Sequence, residues 1–250
     1  MTGDYFSAQA AVYAAARPRY PAALFDALAA RAPNHRLAWD CGTGNGQAAV
    51  ALGNHFEQVH ATDVSAAQLA RASPHPRVTY RCAPADASGL ADGAVALVTV
   101  AQAVHWFDLS RFYAEVRRVA SPGAVCAVWG YGLLTVGEGV DDVVERYYRD
   151  VVGPYWPPGR ELVEARYRTL PFPFPEFELP AFVMERQFSL HGLLAFVTSW
   201  SATQRYVRAR GEDPVPALGD ALRSIWGDPE AVRCAHWTLH VRAGIARPGE

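Results

Sequence analysis

Leu37-Ala38-Trp39-Asp40-Cys41-Gly42-Thr43-Gly44-Asn45-Gly46 reads as a buried strand, an acid at its end, and alternating glycines that open a helix. Glycine has no Cβ, so such a loop can turn tightly and let a ligand lie against its backbone. The helix N-terminus that follows offers N–H groups with no intrahelical partner. A second acid, Asp63, closes the next strand-like run 23 residues after Asp40. That is about where an acid grips a nucleotide ribose in doubly wound folds.

The glycine spacing discriminates between ligands. A dinucleotide fingerprint, G-x-G-x-x-G, would put its third glycine at position 47, which is Gln47; the glycine is Gly46. A diphosphate also needs a neutral or positive cradle, and Asp40 stands at the mouth of this loop. A carboxylate there suits a cationic group, such as an α-ammonium. A nicotinamide-dependent oxidoreductase is thereby disfavoured.

Outward from the loop, strands and helices alternate. A helix is predicted over Pro21–Arg31, with Leu24, Phe25 and Leu28 on one face. After the glycines come a helix over Gln47–Leu52, a strand over Val59–Asp63, and a helix begun by the capping-box sequence Ser65-Ala66-Ala67-Gln68. Further strands are expected at Val78–Cys82, at the apolar run Val95–Val100 and at Ala124–Trp129, with a helix over Asp108–Val119. This order implies parallel crossovers in a Rossmann-like α/β sheet.

Beyond Gly130 the pattern loosens. Val140–Val151 fits a helix, whereas Pro171-Phe172-Pro173-Phe174-Pro175 fits neither helix nor central strand. Phe182–Phe188 and Ala235–Ile245 read as late strands, and Leu190–Arg208 and Pro216–Trp226 as helices. Residues 131–180 are expected to form a helical cap between a cofactor-binding core at 34–130 and a closing part at 181–250.

The composition narrows the function classes. Half of the 250 residues are hydrophobic, enough for a sizeable core. The 23 basic residues, all arginine, nearly balance 25 acidic ones, and no basic run marks a nucleic-acid surface. Cys41, Cys82, Cys126 and Cys234 show no C-x-x-C spacing, so neither a metal site nor a disulfide framework is expected. No segment approaches 18 consecutive apolar residues. A cytoplasmic protein without nucleic-acid or membrane partners, monomeric or weakly dimeric, is the expectation.

Three further places carry chemistry. Asp86, after the Val78–Cys82 strand, can accept a hydrogen bond from an adenine amino group, or simply end a turn. Gln102 and His105, in Ala101-Gln102-Ala103-Val104-His105-Trp106, follow the next strand. His105 suits a general base because imidazole titrates near neutrality; a loop-holding histidine is the competing reading. Arg17, in Tyr13…Arg17-Pro18…Tyr20-Pro21, suits bidentate pairing with a ligand carboxylate.

Together these residues resemble the class I S-adenosylmethionine-dependent methyltransferases. Tyr13…Arg17-Pro18, Asp40–Gly46, Thr62-Asp63-Val64-Ser65, Ala83-Pro84-Ala85-Asp86, Ala101–Trp106 and Ser199-Trp200-Ser201-Ala202 are similar to the small-molecule subgroup that includes trans-aconitate methyltransferase. The resemblance implies one methyltransferase domain over residues 1–250 with a seven-stranded, mostly parallel sheet and helices on both faces. It implies that Asp40, Gly42, Gly44 and Gly46 form the cofactor loop, that Asp63 holds the ribose with Gln68 beside it, that Ala85 and Asp86 meet the adenine, and that Gln102 lies near the methionine portion. The adenine position is commonly Glu in that subgroup, and Asp86 is a shorter equivalent. The acceptor is expected to be a small molecule methylated on a carboxylate or hydroxyl oxygen. Trp106 is a candidate substrate platform or a core residue, Trp156, Tyr167 and Trp200 are candidates for an apolar wall, and Arg160, Arg166 and Arg205 for holding an acid. Carbon methylation in quinone-type biosynthesis and non-catalytic cofactor binding remain the alternatives.

Overall fold

The computed structural model describes residues 18–137 and 139–249; Tyr13 and Arg17 lie outside the described residues. Seven strands form one sheet: β1 (Leu37–Cys41), β2 (Gln58–Asp63), β3 (Val78–Cys82), β4 (Val95–Ala101), β5 (Ala120–Tyr131), β6 (Phe182–Phe188) and β7 (Arg233–Ile245). Their order is β3-β2-β1-β4-β5-β7-β6. β1 through β5 pair in parallel, while β7 runs antiparallel to β5. This is the Rossmann-like architecture implied by the alternating elements.

The chain divides into two compact units. Residues 20–132, 161–182 and 238–249 make up the first, and residues 133–160 and 183–237 the second. The stretch 131–180 expected as a cap is thus shared between them.

In the first unit, α1 (Ala22–Ala29) starts one residue after Pro21, whose extended backbone forms its N-cap. α2 (Gln47–Leu52) follows the glycine loop, and α3 (Ala66–Leu69) is a short turn capped by Ser65 Oγ. α4 (Leu109–Val119) is capped by Asp108, which accepts from the Arg111 N–H. Its stripe of Phe112, Val116 and Val119 is fully enclosed with Trp39, Val98, Val100, Cys126 and Val128. Burying such side chains is worth roughly 1.5–3 kcal/mol each. The continuous apolar run of β4 is therefore explained: its residues Val95–Val100 are all buried, as in a strand covered on both faces.

β1 touches β2 on one side and β4 on the other. The strand order reverses there, and in open α/β sheets ligands bind beyond the carboxyl ends at such a switch point. The glycine loop leaves β1 at that point. Trp39 Nε1 donates to Thr62 Oγ1 over 2.9 Å and links the two central strands below it. Further along, α6 (Arg160–Glu164) leads out of the second unit, and the proline-rich stretch 171–175 forms no regular element. Phe172 and Phe174 there meet Tyr113 edge-on.

The second unit holds α5 (Val140–Arg146), α7 (Leu190–Thr198), α8 (Ser201–Arg210) and α9 (Val215–Trp226). Two predicted helices differ from what forms. The helix expected over Val140–Val151 ends at Arg146 and widens into a π-helical turn over Tyr147–Val151. The helix expected over Leu190–Arg208 is two helices. Trp200 takes an extended conformation (φ −64°, ψ 138°) between them, and Gln204 Nε2 donates to the Thr198 carbonyl over 2.7 Å. Side-chain periodicity runs through this break unchanged, so it does not reveal it.

Candidate cofactor and active site

Asp40 sits at the end of β1 and is completely enclosed. Thr43 Oγ1 donates to its Oδ2 over 2.5 Å, and Thr99 Oγ1 on β4 donates to its Oδ1 over 2.8 Å. Burial pushes its carboxyl up to about 6, against the two threonine hydrogen bonds that favour the charged form. With both oxygens engaged inside, Asp40 acts as an internal staple from β1 to its own loop and to β4. Thr43 and Thr99 were not singled out in the sequence. Thr99 did leave a signal, as the lone hydroxyl in an otherwise apolar run.

The loop itself is set by backbone bonds and by glycine. The Thr43 N–H donates to Thr62 O (2.9 Å) and the Gly46 N–H to Thr43 O (2.9 Å). Gly46 has φ +83°, and a Cβ there would fall 2.8 Å from Tyr80 Cζ. Gly44 has φ +56° but is different: a Cβ would meet nothing within 4 Å among the described residues. The loop thus packs on its protein side and presents an open backbone face at Gly44. A bound molecule can approach that face closely. A Cβ at Gly42 would fall 2.7 Å from the Ala103 Cβ, so the segment after β4 packs directly on the loop.

Asp63, at the end of β2, accepts from the Gly44 N–H and the Ser65 N–H, each over 2.8 Å. A carboxylate has about four lone-pair sites. Two backbone bonds orient Asp63 and leave acceptor capacity for a vicinal diol. Gln68 is exposed on α3, and Ala85 is half-buried. Asp86 is ion-paired with Arg111, Oδ2 to Nη2 over 2.6 Å, and its side chain is 22% exposed. Its second oxygen is the one available to an amino group. Arg111, on α4, had no place in the sequence reading.

Gln102 is bent at the end of β4. It has φ +55°, rare for a residue other than glycine. Its N–H donates to Trp129 O (2.8 Å) and its Nε2 to Tyr131 O (2.9 Å). Strain held by such bonds concentrates at functional sites. A single 3₁₀ turn, Val104–Trp106, then places His105 half-buried and Trp106 55% exposed. Their rings lie 4.9 Å apart, and His105 Nδ1 lies 2.9 Å from Tyr167 Oη. Tyr167 was read as a wall residue; the structure places it beside the candidate base.

In the second unit, Trp156, Arg160 and Trp200 come together. The Arg160 guanidinium lies 4.5 Å from the Trp156 ring centre, and its Nε donates to Tyr148 Oη over 2.6 Å. The Trp156 and Trp200 ring centres are 5.9 Å apart. Trp156 Nε1 is buried with no hydrogen-bond partner among the described residues. Arg205 is exposed on α8, and Arg166 is exposed with φ +57°. No group of three or more potential metal ligands occurs among the described residues, and no helix there is long and apolar enough to cross a membrane.

The geometry therefore offers an open glycine backbone, a carboxylate at the end of β2 suited to ribose hydroxyls, and a second carboxylate after β3, all beyond the carboxyl edge of a parallel sheet. Comparison with known proteins gives the family. The methyltransferase domain family matches residues 39–128. A Dictyostelium discoideum protein assigned as a methyltransferase is 30% identical over 223 residues, covering 88% of this chain and 85% of that one. A methyltransferase-like protein of Schizosaccharomyces pombe is 31% identical over 180 residues, 67% of this chain and 70% of that one. A solved structure from Anaeromyxobacter dehalogenans, assigned to the type II methyltransferases, is 48% identical. It superposes with a TM-score of 0.87 over 93% of this chain and 99% of that one. The chain belongs to the class I S-adenosylmethionine-dependent methyltransferases.

Proposed function

We propose that the protein methylates an oxygen of a small-molecule acceptor, and that His105 takes the proton of an acceptor hydroxyl. The single observation behind this is the placement of His105. It lies three residues past the strained Gln102, in the segment that packs on the glycine loop, with its ring half-buried. Asp63, Asp86 and the open face at Gly44 are the residues that would hold the cofactor. Bound S-adenosylmethionine supplies a methyl group on a sulfonium, already a strong methyl donor. The protein is then left with alignment and, for a hydroxyl, with proton removal. The nearly balanced charge supports a small diffusible acceptor over a nucleic acid.

A second reading, methylation of a carboxylate, is supported by the Arg160 cluster. Arg160, the buried Trp156 N–H and Tyr148 put donors together on an aromatic surface. A carboxylate would need no base. The trans-aconitate-like subgroup belongs with this second reading.

Turnover of labelled S-adenosylmethionine with panels of small phenols and small carboxylic acids tests both. His105→Ala is expected to lower turnover of phenols by about a hundredfold, the usual scale of general-base catalysis, and to spare the acids. Equal turnover of phenols by wild type and variant would remove His105 as the base.

A further inference from the structure

One face of α4 holds the segment between β3 and β4 at three points. Arg111, Glu115 and Arg118 follow one another at i, i+4 and i+7, so they line a single side of the helix. Arg111 Nη2 pairs with Asp86 Oδ2 over 2.6 Å. Glu115 Oε1 accepts from the Ser88 N–H over 2.8 Å and from Ser88 Oγ over 2.6 Å. Arg118 grips Glu115 through Nε and Nη2 and reaches Asp92 through Nη1. Ser88 is completely enclosed, Glu115 is buried, and the Ser88 carbonyl lies 3.0 Å from Nε2 of His60 on β2. At its start the segment is tied to the candidate ribose acid, because the Ala83 N–H donates to Asp63 O over 3.1 Å.

The buried Glu115–Ser88 pair secures the segment, and Arg111 adds little to that. Its side chain is 71% exposed, and exposed ion pairs contribute little to stability. What Arg111 does fix is the Asp86 carboxylate: with Oδ2 engaged, Oδ1 is the oxygen left to accept. We propose that Arg111 is a positioning residue for cofactor selection, holding Asp86 so that Oδ1 meets an exocyclic amino group. The site then prefers adenine to a purine with a carbonyl at that place. An amino group donates to the carboxylate, whereas a carbonyl sets two acceptors against each other and leaves both unpaired. A carboxylate free to rotate would still accept, but with its orientation no longer prepared in advance. This inference rests on the reading of Asp86 as the adenine ligand, and the experiment separates the two.

The test is calorimetric titration of the full chain with S-adenosylhomocysteine and with S-inosylhomocysteine, whose hypoxanthine carries a carbonyl in place of the amino group. Wild type is expected to bind the adenosyl compound at least about tenfold tighter, and Asp86→Ala to lose that preference. Arg111→Gln should reduce the preference about threefold, with the loss falling on the adenosyl compound and thermal stability unchanged. Arg111→Lys, which keeps the positive charge, should retain most of it. A merely structural arginine would weaken both compounds alike and leave their ratio as in wild type. That unchanged ratio in Arg111→Gln, where Asp86→Ala abolishes the preference, overturns the positioning role alone. A loss in Arg111→Lys as large as in Arg111→Gln overturns the ion pair as its cause. No preference in wild type, or one that survives Asp86→Ala, overturns the reading of Asp86 and the inference with it.

Discussion

The Tyr80 side chain fills the space that a β-carbon at Gly46 would need. Its hydroxyl donates to Ser73 O over 2.7 Å, and the Ser73 N–H in turn donates to Asn45 O of the same loop. The glycine loop is therefore braced from β3, two strands away from β1.

Gly46→Ala combines this clash with a left-handed φ of +83°. The expected loss is about 3 kcal/mol, from roughly 1–2 for the backbone and 1–3 for overpacking. Denaturant unfolding measures it. In a Tyr80→Ala background the loss should shrink by about 1 kcal/mol or more, as coupled neighbours do. Simple additivity of the two changes would show that Tyr80 does not brace the loop.

Gly44→Val should behave in the opposite way. A Cβ at this position meets nothing within 4 Å among the described residues, so the side chain would project into the proposed ligand approach. A folded variant is expected, with the left-handed φ costing about 1–2 kcal/mol and cofactor affinity reduced at least tenfold. Calorimetric titration with S-adenosylmethionine decides; wild-type affinity would take Gly44 out of the site.

Asp63→Ala removes both the acceptor for two backbone N–H groups and the proposed ribose ligand. Cofactor binding should weaken about tenfold or more, at ~1.4 kcal/mol per decade. Asp63→Asn keeps an acceptor oxygen and should fall between the two. Equal dissociation constants for all three proteins would refute the ribose assignment.

Two buried carboxyls should act oppositely on stability with pH. Asp40 is raised from 3.8 to about 6 by burial, so the folded state holds its proton more tightly than the unfolded chain. Its contribution is full below about pH 4 and is lost as pH rises through about 6, a cost on the order of 2–3 kcal/mol. Glu115 is lowered from 4.5 to about 2 by its bonds to Arg118 and Ser88. Its contribution is full above about pH 4.5 and is lost as pH falls towards 2; with Arg118 38% exposed, about 1–2 kcal/mol is expected after solvent screening. Thermal melts from pH 3 to 8 (about five steps) would test this. Asp40→Asn should flatten the decline between pH 4 and 6, and Glu115→Gln the one below 4.5. Parallel curves for wild type and both variants would contradict these assignments.

Local sequence carried the sheet and the loop because strands and tight turns leave short-range marks. Val95–Val100 could be read as a doubly buried strand, and Gly42, Gly44 and Gly46 as a turn needing unusual φ. The candidate cofactor residues lie at strand ends, which the same periodicity locates. Thr99, 59 residues from Asp40, was visible only as an oddity in its strand. Arg111 and Tyr80 gave no sign, since an arginine on a helix and a tyrosine on a strand fit ordinary surface or core positions equally well. The break at Trp200 was hidden for a related reason: apolar spacing continues across it.

The sequence by itself determined the parallel α/β core, the glycine loop and its two flanking acids, because these depend on residues within a few positions of each other. Tertiary structure alone decided that Asp40 faces inward to Thr43 and Thr99, that Arg160 stacks on Trp156, and that Tyr167 meets His105 62 residues away. Such partners are chosen by packing and by the need to satisfy buried polar groups across strands and loops. No local pattern along the chain records which distant side chain meets that need.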